Sequence, residues 1–319
     1  MFDDLSQVCG RFAPSPTGPL HFGSLVAATA SYLNARHRDG RWLLRMEDID
    51  QPRVVPSAAD SILFTLEQFG FTWDGEVCYQ SRRHPLYREA LQMLQQQQCC
   101  YYCDCTRSKV AQWLQQRGAP PQSPYPGICR NKQAGEVATD AAIRLKVESE
   151  AITFNDQVQG RYSSHPDALL GDYLLRRRDA IFAYHLVVVV DDLQQGVTEV
   201  VRGGDLLEMT PQQIYLRNLL TTKGEPALDY AHIPVMTDLQ GEKLGKQTAA
   251  PGLDPKRPGE QIWRALQRLG QQPPLELLGA EPAALWAWAI INWKLTKVPQ
   301  CRSLPYDATL ERREPRVRD

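Results

Sequence analysis

The sequence predicts an α/β protein, a parallel sheet with crossover helices, interrupted by an inserted segment and followed by a helix-rich end. Three observations predict it. Strand-like and helix-like segments alternate from the N-terminus; near Pro85 they give way to a cysteine-rich stretch before the α/β character returns around Tyr184; and large aromatics at helical spacing mark the region after Pro234.

Residues 8–13 read as a strand and Pro14-Ser15-Pro16-Thr17-Gly18-Pro19 as a loop. Residues 24–38 carry Leu25, Ala28, Tyr32 and Leu33 at helical spacing, and 41–46 read as a second strand. Residues 56–69 place Ile62, Leu66 and Phe69 on one helical face, with Pro56 near the start and Gly70 just past the end. An amphipathic helix through Leu86, Ala90 and Leu94, extended by the glutamines at 95–98, opens the insertion, and a Pro/Gly-rich stretch at 118–127 lies within it. The uninterrupted apolar run Leu186-Val187-Val188-Val189-Val190 predicts that 184–190 form a strand buried on both faces. After Pro234, Trp263, Leu266, Leu269, Trp286, Trp288 and Trp293 are expected to be helix-packing core. The expected units are therefore 1–84, an insertion at 85–168, a second α/β half at 169–234, and 235–319.

Composition bounds the function. With 319 residues, 43% hydrophobic and 23% charged, the chain has the proportions of a globular protein with a sizeable core, which excludes wholesale disorder. Its 36 basic residues balance 37 acidic ones, so any nucleic-acid partner must be held by a local patch. The longest apolar run, at 283–291, is about half of what a bilayer-spanning helix needs. The start, Met1-Phe2-Asp3-Asp4, is acidic where a secretory signal is basic, so a cytoplasmic location is expected. Eight cysteines in such a chain read as thiols or metal ligands.

Two motifs carry chemistry. His21-Phe22-Gly23-Ser24 follows a strand and turn and opens a helix, where unsatisfied N–H groups, the positive dipole end and the histidine suit a phosphate; a capping histidine is the plainer alternative. Gly241-Glu242-Lys243-Leu244-Gly245-Lys246-Gln247 sets two lysines three apart beside glycines, a loop able to bring an ammonium onto developing phosphate charge. Within the insertion, Cys103-Asp104-Cys105, Tyr125 and Cys129 offer three thiolates and a phenolate oxygen, enough for a tetrahedral zinc site with no open position and hence a structural role. Cys99 and Cys100 are read as small buried hydrophobes. Arg176-Arg177-Arg178 suits either RNA or a solvated face.

Together the two motifs resemble the HIGH and KMSKS signatures of class I aminoacyl-tRNA synthetases. The blocks at 11–18, Arg45-Met46-Glu47-Asp48-Ile49-Asp50, Phe182-Ala183-Tyr184-His185-Leu186 leading to Asp191-Asp192, and Val201-Arg202-Gly203-Gly204-Asp205-Leu206 are similar to those of glutamyl-tRNA synthetases over nearly all of 10–247. Ser24 stands where HIGH ends in histidine, and Gly245 where KMSKS has serine. Only 72 residues follow Gln247, room for a helical stem-contact-like subdomain but not for an anticodon-binding domain. That departure, with the cysteine-rich insertion, resembles the glutamyl-queuosine tRNA(Asp) synthetase family.

The resemblance implies a split Rossmann fold and an ATP-dependent ligase that activates L-glutamate and transfers it to queuosine in the anticodon loop of tRNA(Asp). It implies that Arg11, Phe12, Ala13, Pro14, Ser15, Glu47, Tyr184 and Arg202 line the glutamate pocket, and that His21, Gly23, Ser24, Asp205 and Lys246 bind ATP. His21, Lys243 and Lys246 become the catalytic residues, magnesium accompanies ATP, and zinc sits on Cys103, Cys105, Tyr125 and Cys129. A monomer without membrane association is expected. The rival readings are a short glutamyl-tRNA synthetase charging the 3′ end of tRNA(Glu), an idle RNA-binding paralogue, and another adenylyltransferase of the HIGH type.

Overall fold

In the computed structural model, residues 7–132, 134–222, 225–245 and 250–306 are described. The chain opens with β1 (Cys9–Phe12), α1 (Phe22–Arg36) and β2 (Arg41–Met46), a parallel strand–helix–strand unit in which Cys9 pairs with Arg41 and Phe12 with Leu44. After α2 (Ala58–Gln68), β3 (Cys78–Tyr79) adds in parallel to β2. Helix α3 (His84–Gln96) leads into the insertion, where β4 (Cys100–Cys103), α4 (Arg107–Gln115) and β5 (Ala142–Leu145) follow. Next come β6 (Ile152–Asp156), β7 (Gly160–Ser164), the short α5 (Asp167–Leu170) and β8 (Leu174–Arg176). Strands β4, β5 and β8 make a small antiparallel sheet.

The second α/β half comprises α6 (Tyr184–Gln194), β9 (Glu199–Gly203), α7 (Thr210–Leu220) and β10 (Asp229–Ile233). β9 and β10 pair in parallel with Arg202 opposite His232, and β6 joins the far side of β10 in parallel. The hairpin β6–β7 therefore belongs to the sheet of the second half, although 152–164 lie inside the segment expected to be inserted. β1 and β9 lie side by side: Thr198 N–H donates to the Cys9 carbonyl at 2.9 Å, and Cys9 N–H to Thr198 Oγ1 at 2.9 Å. The strand order thus reverses between β1 and β9, and ligands of open α/β sheets sit beyond the carboxyl ends of strands at such a reversal.

The chain closes with β11 (Val235–Thr237), α8 (Pro258–Arg268), α9 (Pro282–Asn292) and β12 (Ser303–Pro305), the last pairing in parallel with β11. Trp263, Leu266, Leu269, Trp286 and Trp293 join Trp42, Tyr32 and Phe71 in one core, so α8 and α9 pack on α1. Each buried indole finds an acceptor: Trp293 Nε1 donates to Asn34 Oδ1 at 2.9 Å and Trp286 Nε1 to the Phe69 carbonyl at 2.9 Å. Trp288 departs from expectation in being only half-buried at the edge of this core.

The main correction concerns 184–190. These residues begin α6, a helix, where a strand was expected; Leu186 to Val190 are buried in a second core with α3, α7, β5 and β8. A helix covered all round reads as an unbroken apolar run just as a doubly buried strand does, and packing overrides the modest helix propensity of valine. Cys99 and Cys100 differ as well: both are half-buried, packed against the rim of this second core. The glutamine tract extends α3 only to Gln96, since Gln98 takes a left-handed φ of 57°. Among the described residues no helix is long and apolar enough to cross a membrane.

Candidate active site and metal cluster

A cleft of about 620 Å³ opens at the carboxyl ends of β1, β9 and β10. Phe12, Ala13, Pro14 and Ser15 line one wall, and Glu47 N–H donates to the Pro14 carbonyl at 3.0 Å, pinning that loop to the end of β2. His21, Gly23, Ser24, Tyr184, Asp205 and Lys243 also face the cleft, so most of the expected site residues converge. Lys246 lies outside the described residues.

His21 is both a cap and a donor. It is the N-cap of α1, its Nδ1 accepting from Ser24 N–H at 3.3 Å. Burial, then the nearby Lys243 ammonium, lower its pKa, so the ring is neutral. With Nδ1 accepting, the proton must sit on Nε2, which leaves that edge a donor beside the helix N-terminus. Lys243 Nζ pairs with Asp205 Oδ2 at 2.5 Å, tying the lysine loop to the turn after β9.

The two arginines lie deeper, each 5% exposed and each held through its Nε. Arg11 Nε donates to Asp192 Oδ1 at 3.2 Å, and Arg45 Nη2 reaches the same oxygen at 2.7 Å. Despite burial, these two cations keep the Asp192 carboxyl below the ordinary carboxylate range. Arg202 Nε donates to His232 Nε2 at 3.0 Å and its Nη2 to Thr210 Oγ1 at 2.9 Å. Tyr184, at the first turn of α6, has its phenol pKa raised by burial and then by Glu47, while Arg202 and Arg11 act in the opposite sense. Its hydroxyl therefore lies in the field of all three charged groups. Burial lifts the Glu47 carboxyl to about 7 against the pull of Arg45 and Arg11.

Sequence reading missed three residues of this site. Asp192 was part of a matched block with no role attached, whereas it anchors Arg11. Asp156 and His232 were not singled out, and they form a buried pair behind Arg202, with His232 Nδ1 2.6 Å from Asp156 Oδ2. A histidine between apolar neighbours in Tyr230-Ala231-His232-Ile233 was the available signal.

The insertion brings Cys103, Cys105 and Cys129 together, their sulfurs within 4.8 Å of one another. Cys103 ends β4, Cys105 precedes α4, and Tyr125 is held by a bridge to Gly171, whose φ of 63° and contact with the Tyr125 carbonyl leave no room for a Cβ. Cys105 Sγ is 3.4 Å from Cys129 Sγ, and Tyr125 Oη is 3.2 Å from Cys103 Sγ and 3.7 Å from Cys105 Sγ. Tetrahedral zinc with thiolate bonds of about 2.3 Å sets ligand atoms roughly 3.6–3.8 Å apart, so the four atoms fit one ion. Burial opposes ionisation of Cys103, but the Tyr125 hydroxyl, the Cys105 N–H and Arg144 together lower its pKa. A second, wider groove of about 1290 Å³ borders this cluster, lined by Arg53, Arg107, Arg144, Arg177 and Arg178 with Asp50 and Asp179.

The fold and the cleft define a class of protein, and residues 7–270 match the family described as tRNA synthetases class I (E and Q), catalytic domain. The chain is 50% identical to the glutamyl-Q tRNA(Asp) synthetase of Ectopseudomonas mendocina (strain ymp) over 295 residues, 92% of this chain and 96% of the relative. It is likewise 50% identical to that of Dechloromonas aromatica (strain RCB) over 292 residues, 91% of this chain and 95% of the relative. The chain belongs to the glutamyl-Q tRNA(Asp) synthetase family. In fold it is similar to the glutamate-tRNA synthetase of Elizabethkingia anophelis, with a TM-score of 0.78 at 24% identity over 96% of this chain and 69% of that one.

Proposed function

We propose that the protein activates L-glutamate with ATP and transfers it to queuosine in the anticodon loop of tRNA(Asp). The observation that carries the first half is a pair of buried guanidinium groups, each held through Nε, whose charge acts on Tyr184, which lines the cleft with Glu47 and His21. Glutamate presents two carboxylates and an ammonium; Arg11 and Arg202 suit the carboxylates, Glu47 the ammonium, with Phe12, Ala13, Pro14 and Ser15 as the wall. The relatives at 50% identity support queuosine as acceptor.

In the first step the glutamate α-carboxylate attacks the α-phosphorus of ATP, forming a carbon–oxygen–phosphorus anhydride and expelling pyrophosphate. The nucleophile is already an anion, so alignment and charge stabilisation suffice. His21 donates from Nε2, Gly23 and Ser24 present the helix terminus, Lys243, steadied by Asp205, brings an ammonium to the phosphates, and Lys246 is assigned the same role from its place in the motif. Magnesium arriving with ATP adds positive charge at the phosphate oxygens. In the second step a hydroxyl of the queuosine ring attacks the adenylate carbonyl, the bond from the carbonyl carbon to the bridging phosphate oxygen breaks as the ester forms, AMP leaves, and the hydroxyl proton passes to the departing phosphate or to water. The split Rossmann description, with a zinc-bearing insertion and a helical stem-contact-like end, follows from the same reading. Zinc on Cys103, Cys105, Tyr125 and Cys129 is structural, holding the knuckle between β4 and α4. The arginine-lined groove beside it, five cations against three carboxylates once the Asp140 partner of Arg178 is counted, is the path for the RNA backbone. We place the enzyme in the cytoplasm as a monomer, where its cysteines stay reduced.

The test is transfer of labelled glutamate to purified tRNA(Asp) with and without queuosine, and to tRNA(Glu) with its 3′ end intact or oxidised by periodate. Acceptance by queuosine-containing tRNA(Asp) alone, insensitive to oxidation of the 3′ end, is the expected result. Charging of tRNA(Glu) that periodate abolishes would establish a short glutamyl-tRNA synthetase instead.

A further inference from the structure

Asp156, at the end of β6, accepts from the backbone N–H of Val158 at 3.0 Å, Gln159 at 2.8 Å and His232 at 3.1 Å, as well as from the His232 ring. A carboxyl that receives this many donors is an ionised acceptor with no proton to give. The His232 proton is thereby fixed on Nδ1. Its Nε2 is a bare lone pair that accepts from Arg202 Nε–H at 3.0 Å and lies 3.2 Å from Thr210 Oγ1, a hydroxyl that donates to the Leu206 carbonyl at 3.0 Å. His232 is fully buried, and desolvation followed by Arg202 pushes its pKa down to about 4 against the pull of Asp156, so the ring stays neutral in the working range.

The contrast with Arg11 is the informative point. Arg11 is held by the carboxylate of Asp192, a partner that offsets part of its charge. Arg202 is held by a neutral imidazole and a neutral hydroxyl, the Asp156 carboxylate meets the far side of that imidazole, and among the described residues no carboxylate pairs with Arg202. Two of its nitrogens are oriented while its positive charge stays unspent. The register of β9 and β10 sets Arg202 directly opposite His232, and the pairing of β6 with β10 delivers Asp156, so three adjacent strands build the relay.

We propose that His232, oriented by Asp156, is a positioning residue that fixes the Arg202 guanidinium without neutralising it, reserving its full charge for a carboxylate of the amino-acid substrate and so favouring glutamate over glutamine. This rests on the glutamate-pocket reading above. A hydrogen bond to a charged group contributes enough that its loss shifts affinity by about ten- to a hundredfold.

The experiment compares the full-length His232→Phe, His232→Gln and Arg202→Leu proteins in pyrophosphate exchange with L-glutamate, with L-glutamine, and with ATP varied at saturating glutamate. In His232→Phe, KM for glutamate should rise about ten- to a hundredfold, KM for ATP should stay within about twofold, and the preference for glutamate over glutamine should narrow. His232→Gln, whose amide oxygen can replace Nε2 as acceptor, should recover much of the loss. Melting midpoints accompany each variant, and if His232→Phe fails to fold, the Gln variant and Thr210→Val carry the comparison. Loss of glutamate use in Arg202→Leu, with His232 variants matching the parent protein or raising both KM values equally, would overturn the positioning role. Unchanged glutamate use in Arg202→Leu would overturn the pocket assignment itself.

Discussion

Glu47 gives the sharpest handle on the pocket. Burial raises its carboxyl to about 7, and a protonated carboxyl cannot pair with the substrate ammonium. Only the ionised fraction binds, and apparent affinity scales with that fraction. Near pH 8 about nine-tenths of Glu47 is ionised and near pH 6 about one-tenth, so KM for glutamate should rise roughly tenfold over those two units and about tenfold more by pH 5. The sign for the free protein is opposite. Because the folded pKa lies above the unfolded value, the favourable contribution of the protonated form is present below about 4.5 and lost as pH rises through about 7. Glu47→Gln should therefore raise the melting midpoint of the ligand-free protein at pH 8 while weakening glutamate use there, and its KM for glutamate should not vary between pH 6 and 8. Pyrophosphate exchange over pH 5.5 to 8.5 together with thermal melts reads both. A parent protein whose glutamate KM is flat over this range, or a Gln variant with the same slope, would refute the assignment.

Three further outcomes follow from the geometry. Arg11→Leu should raise KM for glutamate by about ten- to a hundredfold with little change for ATP, since Asp192 keeps Arg45 at 2.7 Å; equal losses for both substrates in pyrophosphate exchange would point to general destabilisation. Cys105→Ser or Cys129→Ser should release one zinc per chain, measured by elemental analysis, and expose the β4–α4 knuckle to hydrogen exchange while leaving β1, β2 and β9 protected; metal-free parent protein with normal protection there would refute it. Trp293→Phe should cost about 1–3 kcal/mol in urea unfolding, because Asn34 Oδ1 loses its buried donor; an unchanged midpoint would mean that the indole bond contributes nothing net.

The parts of the site visible in the sequence are those written locally. His21-Phe22-Gly23-Ser24 works through one helix terminus, and Cys103-Asp104-Cys105 through one turn, so short spacing carries their chemistry. The residues that hold the arginines were not visible, because Asp192 is 181 residues from Arg11 and Asp156 is 76 from His232. Such pairs exist only once strand order is known. Helix α6 failed for another reason: Leu186 to Val190 are buried on every side, and a segment with no wet face shows no period from which helix and strand can be told apart. The hairpin β6–β7 escaped notice because the covered positions that alternate with its exposed ones are mostly only half-buried, and because its partner β10 lies beyond the whole of α6 and α7.

The reversal of strand order between β1 and β9 has a consequence for synthesis. β1 emerges from the ribosome early, yet Thr198, the residue that covers its open edge, comes 189 residues later. At about 5–20 residues per second that interval is roughly 10–40 s. Throughout it the edge of β1 is unpaired and the face of α1 that will meet Trp263 and Trp286 is bare, since α8 and α9 follow later still. The nascent chain thus carries an open strand edge and an apolar helix face until most of it has been made, a state that invites pairing with neighbours and suits protection by a chaperone.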